Sequence, residues 1–318
     1  YKRHTNFSAI RARQVIQGTA QANGMSTVRF EKKGDLLSYT YLTKHTAGGA
    51  SLAIGSADIS YVELYIGGQL IDTQYPDYSV TQWNSVEANS YAKSQGATKF
   101  YPLHFFFCDN WTNALPLVAL QYHDVEIRIY WNGPSDIIQC WSDFIYLDEA
   151  ERTYFAENTQ NMLIKQVQRS AGAGKRVQSF NFNHPVLYIG SPDAPICNGG
   201  GGTADDEKDE LQFYINGVQS GEAMRIIPHF KNVAGYYHSP DAGDGADSAP
   251  FCIPFALNLC SNQPSGSLNF SRLDSVRLEL ANANGTGATA IPSSTVFYAV
   301  NWNVLKIENG MGGLMYSN

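Results

Sequence analysis

The chain has 318 residues, of which 43% are hydrophobic, 13% aromatic and 16% charged. This composition excludes a disordered tail, because such a tail lacks the apolar side chains whose burial offsets the entropy lost on folding. The formal charge of −7 argues against a general nucleic-acid-binding protein, which needs a basic surplus to neutralise phosphates. No apolar run reaches the roughly 20 residues that span a bilayer, and the length allows one large domain or two of about 150 residues.

Short strands are predicted along most of the chain. In chain order they are Ser38–Leu42, Tyr61–Ile66, Val125–Ile129, Phe180–Asn183, Gln212–Ile215 and Val276–Leu280. These segments either alternate apolar and polar side chains or are rich in β-favouring residues. Gly67 and the pair Asn216-Gly217 follow two of them and are typical of hairpin turns, whereas Pro185 interrupts the pattern after Asn183.

Helical signal is scarce, and its best example lies at the middle of the chain. Glu149–Glu157 is predicted as a helix, with Asp148 as its N-cap and Glu151 three residues later, as in a capping box. The fold class is therefore all-β with little helix, and the regular spacing of short strands favours β-sandwiches.

Several blocks recur in the same order at an offset of about 150 residues. The recurring pairs are Gln14-Val15 with Gln166-Val167, Leu64–Gly68 with Phe213–Gly217, Pro102, Cys108 and Asn110 with Pro254, Cys260 and Asn262, and Val125–Ile129 with Val276–Leu280. One match is explained by chance, but an ordered series at one spacing indicates a tandem duplication. We predict two domains, residues 1–157 and residues 158–318, with the predicted helix at the junction.

Charge is distributed unevenly along the chain. The first 33 residues hold seven basic residues and one acidic residue, so the acidic surplus lies in the remainder. Two Gly-rich acidic segments, 191–210 and 232–250, are predicted as long loops of the second domain.

No catalytic, cofactor-binding or metal-binding motif emerges from the sequence. The seven histidines form no HxH or HExxH pair, the Gly-rich segment at 199–202 lacks the Lys-Ser/Thr of a phosphate-binding loop, and the acidic residues lack EF-hand spacing. Five irregularly spaced cysteines are predicted as free, buried thiols. Sequons occur at Asn6, Asn110, Asn269 and Asn284, of which Asn284 in a small-residue loop is the best candidate glycosylation site.

A set of motifs matches one known family from end to end. The matching residues are Tyr1–Phe7, Gly34–Leu36, Val62–Gln69 with Ile71-Asp72, Phe105–Cys108, Ala114–His123, Tyr146–Asp148 with Glu151-Arg152, Asn181–Pro185, Gln263–Gly266 with Asn269–Arg272, Asn303–Leu305 and Tyr316–Asn318. Through them the chain resembles the major capsid proteins of nucleocytoplasmic large DNA viruses, as in iridoviruses and phycodnaviruses.

The resemblance implies two consecutive eight-stranded jelly rolls, in agreement with the repeat offset. It also implies a structural, non-enzymatic protein without cofactors, which forms homotrimeric, pseudo-hexagonal capsomers that tile an icosahedral shell. Each capsomer would contact neighbouring capsomers, minor capsid proteins and an internal viral membrane, without direct nucleic-acid binding. The protein would reside in the virion after synthesis and assembly in the host cytoplasm.

The uneven charge suggests which end of the protein faces inward. We expect the basic N-terminal segment, with Arg11 and Arg13 as assembly contacts, to face the shell interior, and the acidic loops to project outward. The alternatives are a smaller capsid paralogue or a glycan-binding attachment protein on the same fold. A glycan-cleaving hydrolase built on two β-sandwiches is a further alternative, which requires a pair of acidic residues in a cleft.

Overall fold

The computed structural model describes residues 7–92, 99–134, 136–192, 209–240, 250–282 and 290–317. The strands of the first half are β1 (Ser8–Gln14), β2 (Ile16–Gln17), β3 (Met25–Arg29), β4 (Leu36–His45), β5 (Ser51–Leu52), β6 (Ile59–Ile66), β7 (Gln69–Gln74), β8 (Phe100–Pro102), β9 (Leu115–Pro116), β10 (Val125–Trp131) and β11 (Ile137–Tyr146). Those of the second half are β12 (Gln160–Ala171), β13 (Val177–Phe180), β14 (Pro185–Ser191), β15 (Asp209–Ile215), β16 (Val218–Gln219), β17 (Met224–Arg225), β18 (Phe251–Pro254), β19 (Leu268–Asn269), β20 (Val276–Asn282), β21 (Val296–Glu308) and β22 (Met311–Leu314).

These strands form four sheets with one topology used twice. The first two sheets have the orders β1-β11-β4-β5, with β8 and β9 also paired to β4, and β2-β3-β10-β6-β7. The other two have the orders β12-β21-β14-β18, with β19 paired to β14 and β22 to β21, and β13-β20-β15-β16, with β17 paired to β15. Strand for strand, β1-β11-β4 corresponds to β12-β21-β14, and β3-β10-β6-β7 to β13-β20-β15-β16. This repeated order is that of two jelly rolls, and it confirms the predicted all-β, double jelly-roll fold.

The chain forms two compact units that are interleaved in sequence. The first unit comprises Tyr1–Val80, Gln95–Gln166 and Asn303–Asn318, and the second comprises Thr81–Ser94 and Val167–Trp302. The C-terminal segment therefore belongs with the N-terminal jelly roll, and a short segment after β7 belongs with the second.

Each unit has its own apolar core between its sheets. In the first, Leu37 and Leu42 of β4 lie in one buried cluster with Leu64 of β6 and Ile127 of β10. In the second, Val186 of β14 lies in one cluster with Leu211, Leu278 and their neighbours. Inward apolar residues at every second position of both sheets are what closes a sandwich.

The helices are short. They are α1 (Asn84–Val86), α2 (Glu149–Glu157) and α3 (Ala234–His238). A short helical segment, Tyr78–Trp83, leads into α1, and the segment Ile226–Val233, which is kinked at Ile227 (φ −102°, ψ 121°), leads into α3. The sequence predicted α2 correctly, and Asp148 Oδ1 accepts a hydrogen bond of 3.1 Å from the Glu149 N–H. The sequence did not predict the two segments that lead into α1 and α3, because six to eight residues are too few to show a helical period. No helix in the described ranges is long and apolar enough to cross a bilayer.

The predicted strands are confirmed with one difference. Strand β13 ends at Phe180, and Phe182 continues the alternating burial outside the strand. Pro185 is the first residue of β14, where a missing N–H is tolerated. The turns after β6 and β15 place Gly67 at φ 57° and Asn216 at φ 50°, each followed by a glycine with positive φ, as expected of hairpin turns.

Candidate assembly surfaces

Strand β1 contains Arg11 and Arg13, the two arginines predicted as assembly contacts, and their side-chain environments differ. Arg11 faces Asp143 across the β1–β11 pair, and its Nε and Nη2 donate to Asp143 Oδ1 and Oδ2 at 2.7 and 3.0 Å. Its guanidinium also lies 5.3 Å from the ring centroid of Tyr41. The hydrogen bonds to Asp143 raise the pKa of Arg11. A bidentate pair of this kind joins two strands and leaves little of the cation for a partner.

Arg13 stands one step further along the same face. It lies opposite Trp141, and its main-chain carbonyl accepts a hydrogen bond of 3.1 Å from Lys33 Nζ. Within the part of the chain that the structure describes, its exposed guanidinium has no ion-pair partner. Arg13 is therefore available to an external anionic group.

Other basic residues of the N-terminal segment are engaged inside the first unit. Arg29 pairs with Asp124, and Lys32 donates to the main-chain carbonyls of Leu120 and Gln121. Lys2 and Arg3 lie outside the described residues. The charge count of the sequence therefore overstates the cationic surface that this segment offers.

A buried ion cluster fixes one end of the first unit. Lys44 Nζ of β4 lies 2.6 Å from Asp58 Oδ1 and 3.5 Å from Asp136 Oδ2, and the Lys44 and Asp58 side chains are 12% and 7% exposed. The hydrogen bond to Asp58 raises the pKa of Lys44. With its single cation held by two carboxylates, this cluster has the features of a structural ion pair.

The described residues offer no arrangement typical of metal or thiol chemistry. They contain no group of three His, Cys, Asp or Glu side chains placed to hold a metal ion. Cys108, Cys140, Cys252 and Cys260 are free and buried, as the sequence predicts, and burial raises the pKa of Cys140 to about 12. A thiol protonated to that pH is a poor nucleophile. Cys197 lies outside the described residues.

An exposed aromatic surface lies on the second unit. Tyr236 and Tyr237 of α3 are 78% and 68% exposed and stack edge to face at 4.9 Å between ring centroids. His238 at the end of α3 binds the segment that follows β18, with Nδ1 2.8 Å from the Ala256 carbonyl, and this places Leu257, 75% exposed, in the segment held against α3. We call Val233, Tyr236, Tyr237 and Leu257 the tyrosine surface. Tyrosine-rich apolar patches are typical of protein interfaces.

Two sequons have structural roles in the fold. Asn110 Oδ1 accepts a hydrogen bond of 2.9 Å from the Thr112 N–H, and Asn269 Oδ1 accepts one of 3.1 Å from the Ser271 N–H. Each asparagine caps a 3₁₀ turn, Trp111–Asn113 or Phe270–Arg272. Asn6 and Asn284, the candidate glycosylation site, lie outside the described residues.

Comparison with known proteins identifies the family. Residues 1–138 match the family described as major capsid protein N-terminus, and residues 208–313 match the large eukaryotic DNA virus major capsid protein family. The chain is 32% identical to the major capsid protein of Pyramimonas orientalis virus, across all of this chain and 92% of the relative. It is 30% identical to that of Paramecium bursaria Chlorella virus 1, across all of this chain and 93% of the relative.

A solved structure agrees with the sequence comparison. The capsid of Paramecium bursaria Chlorella virus 1 contains a chain that superimposes with a TM-score of 0.77 at 26% identity, covering 100% of this chain and 98% of that chain. The repeated jelly-roll order explains this likeness over the full length. The chain belongs to the major capsid proteins of large eukaryotic DNA viruses, and it is a structural protein of the virion and not an enzyme.

Proposed function

We propose that this chain forms homotrimeric, pseudo-hexagonal capsomers that tile the icosahedral shell of a large DNA virus. The observation that carries the proposal is the repeated topology: each chain supplies two jelly rolls, so a threefold trimer presents six similar domains around its axis. A nearly hexagonal outline tiles a flat facet while the true symmetry stays threefold. Family membership supports the same assembly.

A cyclic trimer needs a heterologous contact that closes after three rotations. The first jelly roll of one chain would contact the second jelly roll of its neighbour, over an obligate interface of roughly 2,000 Å² or more. The tyrosine surface is the part of the second unit that we assign to this contact, because its aromatic area is exposed in the single chain.

Light scattering on the purified protein tests the trimer. We expect about 105 kDa, three times the chain mass of 35.1 kDa, and a monodisperse species near 35.1 kDa would contradict the proposal. The double variant Tyr236→Asp/Tyr237→Asp should shift the mass toward the monomer. The matched variant Tyr236→Phe/Tyr237→Phe keeps the apolar rings and should remain trimeric. Equal masses for both variants would remove the tyrosine surface from the interface.

Strand β1 would face the shell interior, toward minor capsid proteins and an internal viral membrane. The free guanidinium of Arg13 supports this orientation, whereas Arg11 is already held by Asp143. Arg13→Glu should impair shell assembly and leave trimers intact. Arg11→Glu places two carboxylates opposite each other on β1 and β11, so its main effect should be a lower thermal midpoint. Normal assembly of the Arg13→Glu protein would contradict the inward orientation.

Four further predictions accompany the proposal. The two sequence repeats are residues 1–157 and 158–318, although each compact unit also includes a segment from the other repeat. Synthesis and assembly take place in the host cytoplasm, and the chain does not bind nucleic acid directly. Asn284 is the sequon available for glycosylation, which mass spectrometry of virion protein would test.

A further inference from the structure

Six asparagines of the chain are followed directly by glycine, and the structure describes four of these pairs. The described pairs are Asn23-Gly24, Asn132-Gly133, Asn216-Gly217 and Asn309-Gly310, whereas Asn198 and Asn284 lie outside the described residues. All four described asparagines are exposed, so exposure to water does not distinguish them. Their hydrogen bonds do.

An asparagine that precedes a glycine can cyclise without an enzyme. The main-chain nitrogen of the glycine attacks Cγ of the asparagine and forms a new C–N bond. The Cγ–Nδ2 bond then breaks, and Nδ2 leaves as ammonia together with the proton of the attacking N–H. Water opens the resulting succinimide ring and leaves aspartate or isoaspartate in place of asparagine. Glycine favours the attack because no Cβ crowds its nitrogen, and any hydrogen bond that holds the side-chain amide or the glycine N–H must break first.

In two of the four pairs the fold holds the side-chain amide. Asn132 Nδ2 donates to the main-chain carbonyls of Ser56 and Ile59 at 2.7 and 3.3 Å. Asn216 Oδ1 accepts from the N–H groups of Asp274 and Ser275 at 2.8 and 3.2 Å. Each of these side chains must break two hydrogen bonds before its Cγ can reach the glycine nitrogen.

In a third pair the fold holds the attacking nitrogen. The N–H of Gly24 donates to the Gln21 carbonyl at 2.9 Å, within the turn that precedes strand β3. Asn23 therefore faces a glycine N–H that is already bonded.

Asn309 is the pair in which both reacting groups are free. Within the ranges that the structure describes, neither the Asn309 side-chain amide nor the Gly310 N–H takes part in a hydrogen bond. The Tyr122 N–H donates to the Gly310 carbonyl at 2.9 Å, but that oxygen is not a reacting atom.

The backbone does not explain this difference, and the position of the turn favours Asn309. Asn23, Asn216 and Asn309 have similar left-handed backbones, with φ of 57°, 50° and 53°. Ring closure requires the turn to open far enough for the glycine nitrogen to meet Cγ. Asn309 joins β21 to β22, a four-residue strand that pairs only with β21 in the described ranges. A short edge strand of this kind opens at a low free-energy cost.

We propose that Asn309 is a site of spontaneous deamidation in the folded protein. The product carries a new carboxylate beside Glu308 at the turn of the C-terminal hairpin. Isoaspartate also adds an atom to the main chain between Glu308 and Gly310, and so displaces the carbonyl that accepts from Tyr122. The site thus gives the first unit a change of charge and backbone length that accumulates with time.

Peptide mapping by mass spectrometry tests this assignment. The folded protein is incubated in mildly alkaline buffer and digested at intervals, and each Asn-Gly peptide is scored for the mass gain that accompanies replacement of an amide by a carboxylic acid. We expect Asn309 to react at least about 10-fold faster than Asn132 and Asn216, because each of those must first break two hydrogen bonds. It should also react faster than Asn23. A rate at Asn309 no higher than the rates at the other three would overturn the proposal.

The same time course in guanidinium chloride separates the fold from the local sequence. Unfolding removes the hydrogen bonds at Asn23, Asn132 and Asn216, so the four rates should converge. If Asn309 kept its full advantage in the unfolded chain, the flanking residues would be the cause, and the structural argument would fail.

Asn309→Gln is the matched variant, because it keeps an amide but has to close a larger ring. The mass gain should disappear from the peptide that contains residue 309 and continue unchanged at the other three asparagines. A mass gain that persists in that peptide would place the reaction at another residue and contradict the assignment.

Discussion

The two jelly rolls share a strand order but fill their cores differently. The core of the first unit is built mainly from Val, Ile and Leu side chains, with a buried lysine–carboxylate cluster at one end. The core of the second is richer in phenylalanine, and the ring centroid of Phe180 lies 5.3 Å from that of Phe182 and 5.2 Å from that of Phe297. One topology therefore accepts two core chemistries, because burial pattern and turns specify the strand order more strongly than the identity of each apolar side chain.

The hairpin turns after β6 and β15 also have the same backbone arrangement but different side-chain contacts. The N–H of Gly67 donates to the Asp124 carbonyl at 2.9 Å, and the N–H of Asn216 donates to the Ser275 carbonyl at 2.8 Å. In the second unit Asn216 Oδ1 also accepts from the Asp274 N–H at 2.8 Å. In the first unit His123 occupies that space, since a Cβ added to Gly67 would lie 2.2 Å from His123 Nδ1.

His123 also contacts the C-terminal segment. His123 Nδ1 lies 2.9 Å from the Gly312 carbonyl oxygen, so the ring that replaces an asparagine side chain also holds strand β22. The first unit thereby gains a contact to the C-terminal hairpin.

Removal of the buried Lys44 cation should give the largest difference in stability loss between the two units. Lys44→Met leaves the buried Asp58 carboxylate without its counter-charge, and we expect a loss of about 3–5 kcal/mol in the free energy of unfolding. Arg176→Met, which breaks the more exposed 3.6 Å pair with Glu279 in the second unit, should cost at most about 1 kcal/mol. Urea denaturation of both variants measures the difference, and similar losses would show that the cluster does not stabilise the first unit.

Shortening one buried leucine in each core should show which unit that leucine stabilises. Leu305→Ala and Leu278→Ala each remove a side chain that is 0% exposed, so each should cost about 2–5 kcal/mol. Leu305 lies in the core of the first unit, although it is 13 residues from the C-terminus.

Thiol labelling shows which unit each substitution destabilises. With Cys197 replaced by Ser, Leu305→Ala should accelerate labelling of Cys108 and Cys140, and Leu278→Ala that of Cys252 and Cys260. Faster labelling of Cys252 and Cys260 in the Leu305→Ala protein would contradict the assignment of the C-terminal segment to the first unit.

Exchange of the turn residues should give the smallest effect. Gly67→Asn forces the new side chain against His123 and should cost about 1–3 kcal/mol, whereas Asn216→Gly loses only the hydrogen bonds to the amides of Asp274 and Ser275 and should cost about 1 kcal/mol. Thermal melting measures both. The double variant Gly67→Asn/His123→Ala opens the space and should recover part of the first loss. No recovery would mean that the clash is not with His123.

The strands could be predicted from sequence because their information is local. Val125–Ile129 and Val276–Leu280 alternate apolar and polar residues, and each lies within an observed strand. The repeat offset likewise predicted two copies of one fold. The segments that lead into α1 and α3 were missed because they are short, and the early end of β13 at Phe180 was missed because burial alternates beyond it.

The candidate surface could be predicted only in part. The sequence placed Arg11 and Arg13 together on a basic segment, but it could not distinguish a paired arginine from a free one. That distinction depends on Asp143, which lies 132 residues away and meets Arg11 through the register of β1 and β11.

The sequence by itself determined the fold class, the duplication and the family, because strand alternation, turn residues and motif blocks are short-range features that a linear chain displays. The tertiary structure alone decided which cation is free and which unit receives residues 303–318. These outcomes depend on contacts between residues more than 100 positions apart, and such contacts exist only once the sheets have paired.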